Sequence, residues 1–362
     1  MLYYYYLVVG CDLYTCGSVY LPDSEIYMHL YNDSDIRWAS WNVYGVTIFY
    51  GFISGIIDPL YLNLILVVIS NGILIGMIFE RLPRNKIIVY LVLYCNPAIV
   101  YYSQTPTKEI ILYFFTTLIL YFFVKRKKVF YLPVIIFGGV IRYQFFVVTM
   151  SSYIGVIFRK NAFLLVRLSI LLLFLLLPLI YNTPLLQGYI NAEEIYLTQS
   201  SGSSGIGQSL RMLERSIPLV GFITFPIKSL QNILEPFMGL SLYQGDYFNF
   251  YGVKDAISFL FFGWYYIYGL VSLLFILLME DKREYRNADD IFVIFIVLTS
   301  FIIVSVNTFI HGRYIFNILP VVVYFYYSGV CVPKVFFVKK IVSVIFLFSS
   351  LIYFYRFFTL FN

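Results

Sequence analysis

"LYLNLILVVISNGILIGMIFERLPRNK", residues 60–86, carries about twenty residues without a charge and then three basic residues within seven. As a helix, the uncharged part is about 30 Å long, the thickness of a bilayer's hydrocarbon core. The basic break that follows belongs where a chain leaves the membrane.

The same pattern recurs along the chain. Of its 362 residues, 61% are hydrophobic and 12% are charged, and the mean hydropathy is +0.83. Soluble domains carry about a quarter charged residues. These values predict an all-α, polytopic bundle forming a single integral-membrane domain over 1–362. Apolar runs place spans near 2–19, 59–79, 87–103, 109–124, 129–140, 143–158, 163–181, 256–279, 290–310, 314–332 and 341–358, about eleven passes. The N-terminal run is read as a retained, short first span. The pair over 129–158 is too short for two upright crossings, which predicts a hairpin of short helices or a re-entrant pair. No internal repeat is visible, and Cys11, Cys16, Cys95 and Cys331, without CxxC spacing, read as small buried hydrophobes.

The breaks "ERLPRNK", "KRKK", "RKN", "EDKREYR" and "PKVFFVKK" hold fifteen of the 25 lysines and arginines and fall at every second loop. The positive-inside rule makes them cytoplasmic. The net charge of +6 is therefore mostly a topology signal, and it argues against a nucleic-acid partner. Two long connections fall on the opposite face: a first external loop over 20–58 and a second over 182–255. The second contains the low-complexity strap "SSGSSGIG" (200–207) and an amphipathic stretch over 209–240 bearing Arg211, Arg215 and Lys228, as an interfacial helix would.

That sidedness gathers the chain's few polar reactive groups. "PDSEIYMHLYND" (22–33) brings Asp23, Glu25 and Asp33, with Asp35 just beyond. "SQTPTKE" brings Lys108 and Glu109, "IRYQ" brings Arg142 and Gln144, and "HGRY" brings His311, Arg313 and Tyr314. Asp33 and Asp35 read as solvated loop acids, and Lys108 with Glu109 also fits a helix-capping pair. Arg142 interrupts about thirty apolar residues, so it requires an anionic partner or a wet cavity. Tyr and Phe make up 73 of the 362 residues, an abundance that interfacial belts and interhelical packing explain without a cofactor. Acids with arginines on one face suit glycosyl transfer from a lipid carrier: a carboxylate deprotonates a sugar hydroxyl, while arginines hold a departing diphosphate. A divalent metal at the first-loop acids is weighed and set aside for lack of a ligand motif.

"PDSEIYMHLYND…WASWNVYGVTIFYG", "NPAIVYYSQTPTKEIILYFF", "GGVIRYQFF" and "HGRYIFNILPVVVYF" together resemble bacterial GT-C-type glycosyltransferases and the O-antigen polymerases of polysaccharide gene clusters. The resemblance implies a GT-C-like bundle in the bacterial inner membrane with a periplasmic active face, acting on undecaprenyl-linked oligosaccharide. It implies Asp23 as the base with Glu25 as its alternative, Glu109 as the second-loop acid, and Arg313 on phosphate. Many single-sugar enzymes of this kind carry a soluble domain after their spans, whereas this sequence ends at the expected span 11; its acidic first loop is closer to theirs than to the polymerases. Joining of repeat units on undecaprenyl diphosphate is the activity expected, with Asp23, Glu109 and Arg142 catalytic. Glu25, Lys108, Gln144, Arg211, His311, Arg313 and Tyr314 would bind substrate. No cofactor or metal is expected, and the partners are the bilayer and other polysaccharide-assembly membrane proteins. Single-sugar transfer from a polyprenyl phosphate and lipid-linked sugar transport are the rival expectations.

Overall fold

A computed structural model of the chain describes residues 41–57, 59–81, 86–103, 107–158, 250–278, 288–306, 318–328 and 334–359, with isolated positions between 164 and 172, between 227 and 233, and at 330 and 332. The described residues are helical, with no strand among them. In chain order the elements are α1 (Trp41–Ser54), α2 (Pro59–Arg81), α3 (Lys86–Tyr94), α4 (Pro97–Tyr102), α5 (Lys108–Val124), α6 (Tyr131–Ile141), α7 (Tyr143–Ile157), α8 (Phe250–Leu278), α9 (Ala288–Val306), α10 (Leu319–Tyr327) and α11 (Val335–Thr359).

Four stretches among these, Tyr61–Glu80, Ile257–Leu278, Ala288–Ser305 and Val335–Tyr355, are long and apolar enough to cross a bilayer. They support a membrane protein, and they match the expected spans at 59–79, 256–279, 290–310 and 341–358. The other expectations are altered or untouched. The run 87–103 is two short helices interrupted at Cys95 and Asn96, because Pro97 opens a new helix and Asn96 Oδ1 caps it by accepting the Ala98 N–H at 2.9 Å. The segment expected as loop over 20–58 holds α1 in its latter part. The spans at 2–19 and most of 163–181, and most of the connection over 182–255, lie outside the described residues.

Side chains at the helix ends show how the helices are oriented. Lys125 Nζ contacts both Glu80 carboxylate oxygens at 2.7 Å, which brings the C-terminal ends of α2 and α5 together. At their other ends the Tyr50 hydroxyl donates to Asn63 Oδ1 at 2.7 Å and accepts the Thr107 N–H at 3.1 Å. α2 and α5 therefore run parallel. Phe123 of α5 stacks on Phe292 at the start of α9, with centroids 3.7 Å apart, and Gly155 of α7 lies against the Phe295 ring. Phe275 near the end of α8 meets Phe337 at the start of α11. The helix ends leading into all five basic breaks thus gather at one end of the bundle.

α10 occupies the centre, touching α2, α5, α8 and α9, with Leu319 to Phe325 all buried. α11 packs on α8 at the periphery and leaves Phe336, Val344, Leu347, Phe348, Leu351, Phe354 and Tyr355 exposed, as lipid contact requires. α6 and α7 form the short hairpin. Arg142 between them is extended (φ −156, ψ 116), and a Cβ built on Gly139 would come within 3.0 Å of Phe146 Cβ, so the two helices fold back on each other at close range. Their 11 and 15 residues span about 17 and about 22 Å at 1.5 Å per residue. Helices of those lengths, entering from one surface, reach between half and three quarters of the way across about 30 Å of hydrocarbon. α1 seals the side of α6: a Cβ on Gly45 would overlap the Val140 carbonyl, so only glycine admits this approach.

Two results are expected. Gly45→Leu should lower the protein's thermal stability in detergent, by about 1–3 kcal/mol, the usual range for overpacking. In a background without native cysteines, Val129→Cys and Phe158→Cys should be labelled by an impermeant maleimide from the same side of the membrane. Labelling from opposite sides is incompatible with the hairpin.

Candidate functional site

The hairpin tip lines a cavity of about 70 Å³ between α5, α7, α9 and the start of α10. Arg142 is 7% exposed and contributes to its wall, joined by Gln144, Thr116, Thr149 and Ser300 among apolar neighbours such as Leu112 and Val304. The hydroxyls of Thr149 and Ser300 donate to carbonyls of their own helices, Phe145 O at 2.8 Å and Ile296 O at 2.6 Å, which leaves their lone pairs available to the cavity. Gln144 Oε1 is buried without a hydrogen-bond partner.

The position of Arg142 follows from local structure. α6 ends at Ile141 and α7 begins at Tyr143, so the C-terminal carbonyls of one helix and the N-terminal N–H groups of the next meet at this residue. The negative end of α6 favours the guanidinium, and the positive end of α7 favours an anion beside it. A buried cation and a helix N-terminus around room for a small polar group make an anion-binding arrangement, and the Gln144 Oε1 beside them can accept from a hydroxyl of the same ligand.

The second polar centre is the start of α5. Thr107 precedes the helix and is 2% exposed; its hydroxyl makes no capping bond and has no partner at all. Glu109, in the first turn, is 3% exposed, and its Oε1 also lacks a partner. It lies within electrostatic reach of Tyr50, which links α1 to the starts of α2 and α5. Glu109, Leu112 and Thr116 share one stripe of α5 by their spacing, so Glu109 stands about 4.5 Å of helical rise from the first cavity-lining residue.

A third polar cluster is fully satisfied where it joins helices. The Tyr113 hydroxyl donates to Asn71 Oδ1 at 2.7 Å, and Asn71 Nδ2 donates to the Leu93 carbonyl at 2.9 Å, one turn before the break between α3 and α4. This cluster reads as structural glue.

Of the residues proposed from sequence, Arg142 and Gln144 line one cavity, and Glu109 with Lys108 begins the helix that borders it. Arg142, expected at the hairpin tip on the outward face, is at that tip and buried there. Asp23, Glu25, Arg211, His311, Arg313 and Tyr314 lie outside the described residues. Cys95, read as buried, is exposed and unpaired at the helix break, while the other three cysteines lie outside the described residues. Among the described residues no group of three His, Cys, Asp or Glu side chains is placed to hold a metal ion. Sequence reasoning passed over Thr107, Thr116, Thr149 and Ser300. The available signal was their spacing, since Thr116 falls seven residues after Glu109 and Thr149 seven after Arg142, each on the same helical stripe.

Comparison with family models, with curated proteins and with solved structures finds no match to the chain.

If the cavity carries function, filling it should disable the protein without unfolding it. Ser300→Leu should leave the thermal melting temperature nearly unchanged and lower turnover or transport at least about tenfold, a loss of ~1.4 kcal/mol. An active variant would show that the cavity is a packing defect.

Proposed function

We propose that the chain is a membrane glycosyltransferase acting on sugars carried by a polyprenyl diphosphate, and specifically a polymerase that joins oligosaccharide repeat units on undecaprenyl diphosphate. The observation that carries this reading is the buried Arg142 lining a small polar cavity at the tip of a half-crossing hairpin, where α7 presents its positive end. Such a site suits a phosphate-bearing head group whose tail stays in lipid, because the anion is met by a fixed cation and dipole in a medium of low dielectric.

In the proposed reaction the acceptor sugar hydroxyl attacks the anomeric carbon of the donor. The carbon–oxygen bond to the diphosphate breaks, the hydroxyl proton passes to a carboxylate, and the diphosphate leaves with the bonding pair. Asp23 is the proposed base, with Glu25 its alternative. Arg142 and Arg313 hold the leaving group, supported by Lys108, His311, Gln144, Arg211 and Tyr314, and Glu109 orients the sugar or an arginine. The proposed setting is a bacterial inner membrane with a periplasmic active face, beside other polysaccharide-assembly proteins. Single-sugar transfer from a polyprenyl-phosphate donor is the same chemistry with a smaller substrate.

A second reading, transport of the same lipids, draws on the depth of Arg142. Transporters place anion sites near the bilayer midplane at the ends of broken helices, which is where the hairpin tip stands.

Purified protein in nanodiscs, supplied with repeat-unit lipid alone, is expected to extend chains, and Arg142→Ala should lower kcat about 10²–10³-fold, the usual cost of losing one charge-stabilising donor. A requirement for a monosaccharyl carrier selects the single-sugar reaction. Lipid translocation without any new glycosidic bond selects transport.

A further inference from the structure

We infer that the first turn of α5 is a sugar-hydroxyl subsite, in which Thr107 and Glu109 bind the neutral acceptor sugar next to the anion cavity of Arg142. This deepens the glycosyltransferase reading and rests on it for the word acceptor, but the binding chemistry is read from the turn itself. Thr107 and Glu109 are both more than nine-tenths buried, and each has a side-chain oxygen with no hydrogen-bond partner. Burying an unsatisfied oxygen is costly, so a ligand or water that pairs with either is favoured.

The chemistry of the turn selects the ligand. A carboxylate oxygen only accepts when ionised, a threonine hydroxyl both donates and accepts, and the leading N–H groups of a helix donate. Lys108 offsets the charge of Glu109 in this turn, so an anion gains little here and is better held at Arg142, in a cavity lined by no carboxylate. A bare cation would sit at the positive end of a helix macrodipole with one carboxylate to hold it. A polyhydroxylated neutral molecule satisfies every group at once, its hydroxyls donating to Glu109 and exchanging bonds with Thr107. The stripe from Glu109 through Leu112 to Thr116 then runs from this subsite to the cavity wall, which places a bound hydroxyl and a bound phosphate on one side of one helix. Tyr50 and Asn63 brace the turn from α1 and α2.

The test is saturation-transfer NMR on the full chain in nanodiscs, with methyl glycosides of glucose, galactose, mannose and N-acetylglucosamine as probes. At least one glycoside should give a signal that falls about fivefold or more in Thr107→Val and in Glu109→Gln, the effect of losing about one hydrogen bond. Thr107→Ser, which keeps the hydroxyl, should retain it, and this variant keeps the test valid if the valine variant fails to fold. No signal from any glycoside, the result if ordered water alone fills the turn, overturns the subsite, and so do equal signals in wild type and variants. Glycoside binding that depends on both residues, in a protein that transfers no sugar, leaves the subsite standing and removes the enzyme. Chain extension with an unchanged acceptor KM in both variants does the reverse.

Discussion

The cost of placing charge in hydrocarbon organises this molecule. A lysine or arginine at the bilayer centre costs several kcal/mol, so the basic residues collect where helices leave the membrane. The helix ends show the result directly: the contacts of Lys125 with Glu80, Phe123 with Phe292, Gly155 with Phe295 and Phe275 with Phe337 bring together the described helix ends that border the basic breaks. The pairing of Lys125 with Glu80 is half-exposed and contributes little energy itself. Its value is as a marker of direction, since it makes α2 and α5 parallel and obliges the chain between them to return.

Against that segregation Arg142 is the exception, and the hairpin is built to accommodate it. A continuous helix would have carried the guanidinium into lipid or to the far surface. Interrupting the helix at one extended residue leaves the last carbonyls of α6 and the first N–H groups of α7 short of partners within their own helices, although Gly138 O accepts the Arg142 N–H and Arg142 O accepts the Phe145 N–H. These groups solvate what water cannot reach. The near-contacts at Gly45, against the Val140 backbone, and at Gly139, against the Phe146 side chain, let α1, α6 and α7 pack closely beside the tip.

Most of the long helices were legible in the sequence because an uninterrupted apolar run of about twenty residues has few alternatives to a spanning helix. The hairpin over 129–158 was legible for the converse reason, as its halves are too short. α1 was not: "WNVYGVTIFYGFIS" mixes Trp, Asn, Thr and two glycines with its aliphatic residues, and it follows an acidic segment, so its apolar character was diluted below the threshold of notice. The split at Cys95 was signalled by the dipeptide Asn96–Pro97, outweighed by the apolar residues on both sides. In the candidate site, the charge of Arg142 announced itself. Thr107 and Ser300 did not, because a lone hydroxyl in an apolar helix usually just bonds back to its own backbone, and only burial without a partner distinguishes the exception.

The interruption between α3 and α4 has a consequence for biogenesis. At that point the backbone lacks helical continuity within an apolar run, and the Leu93 carbonyl is met by Asn71 from α2, itself held by Tyr113 from α5. A short, interrupted segment with a carbonyl answered by a neighbouring helix is a weaker independent stop in the translocation channel. Residues 86–102 therefore partition into lipid only as α2 and α5 become available, so that insertion and tertiary assembly of this half of the bundle are one event.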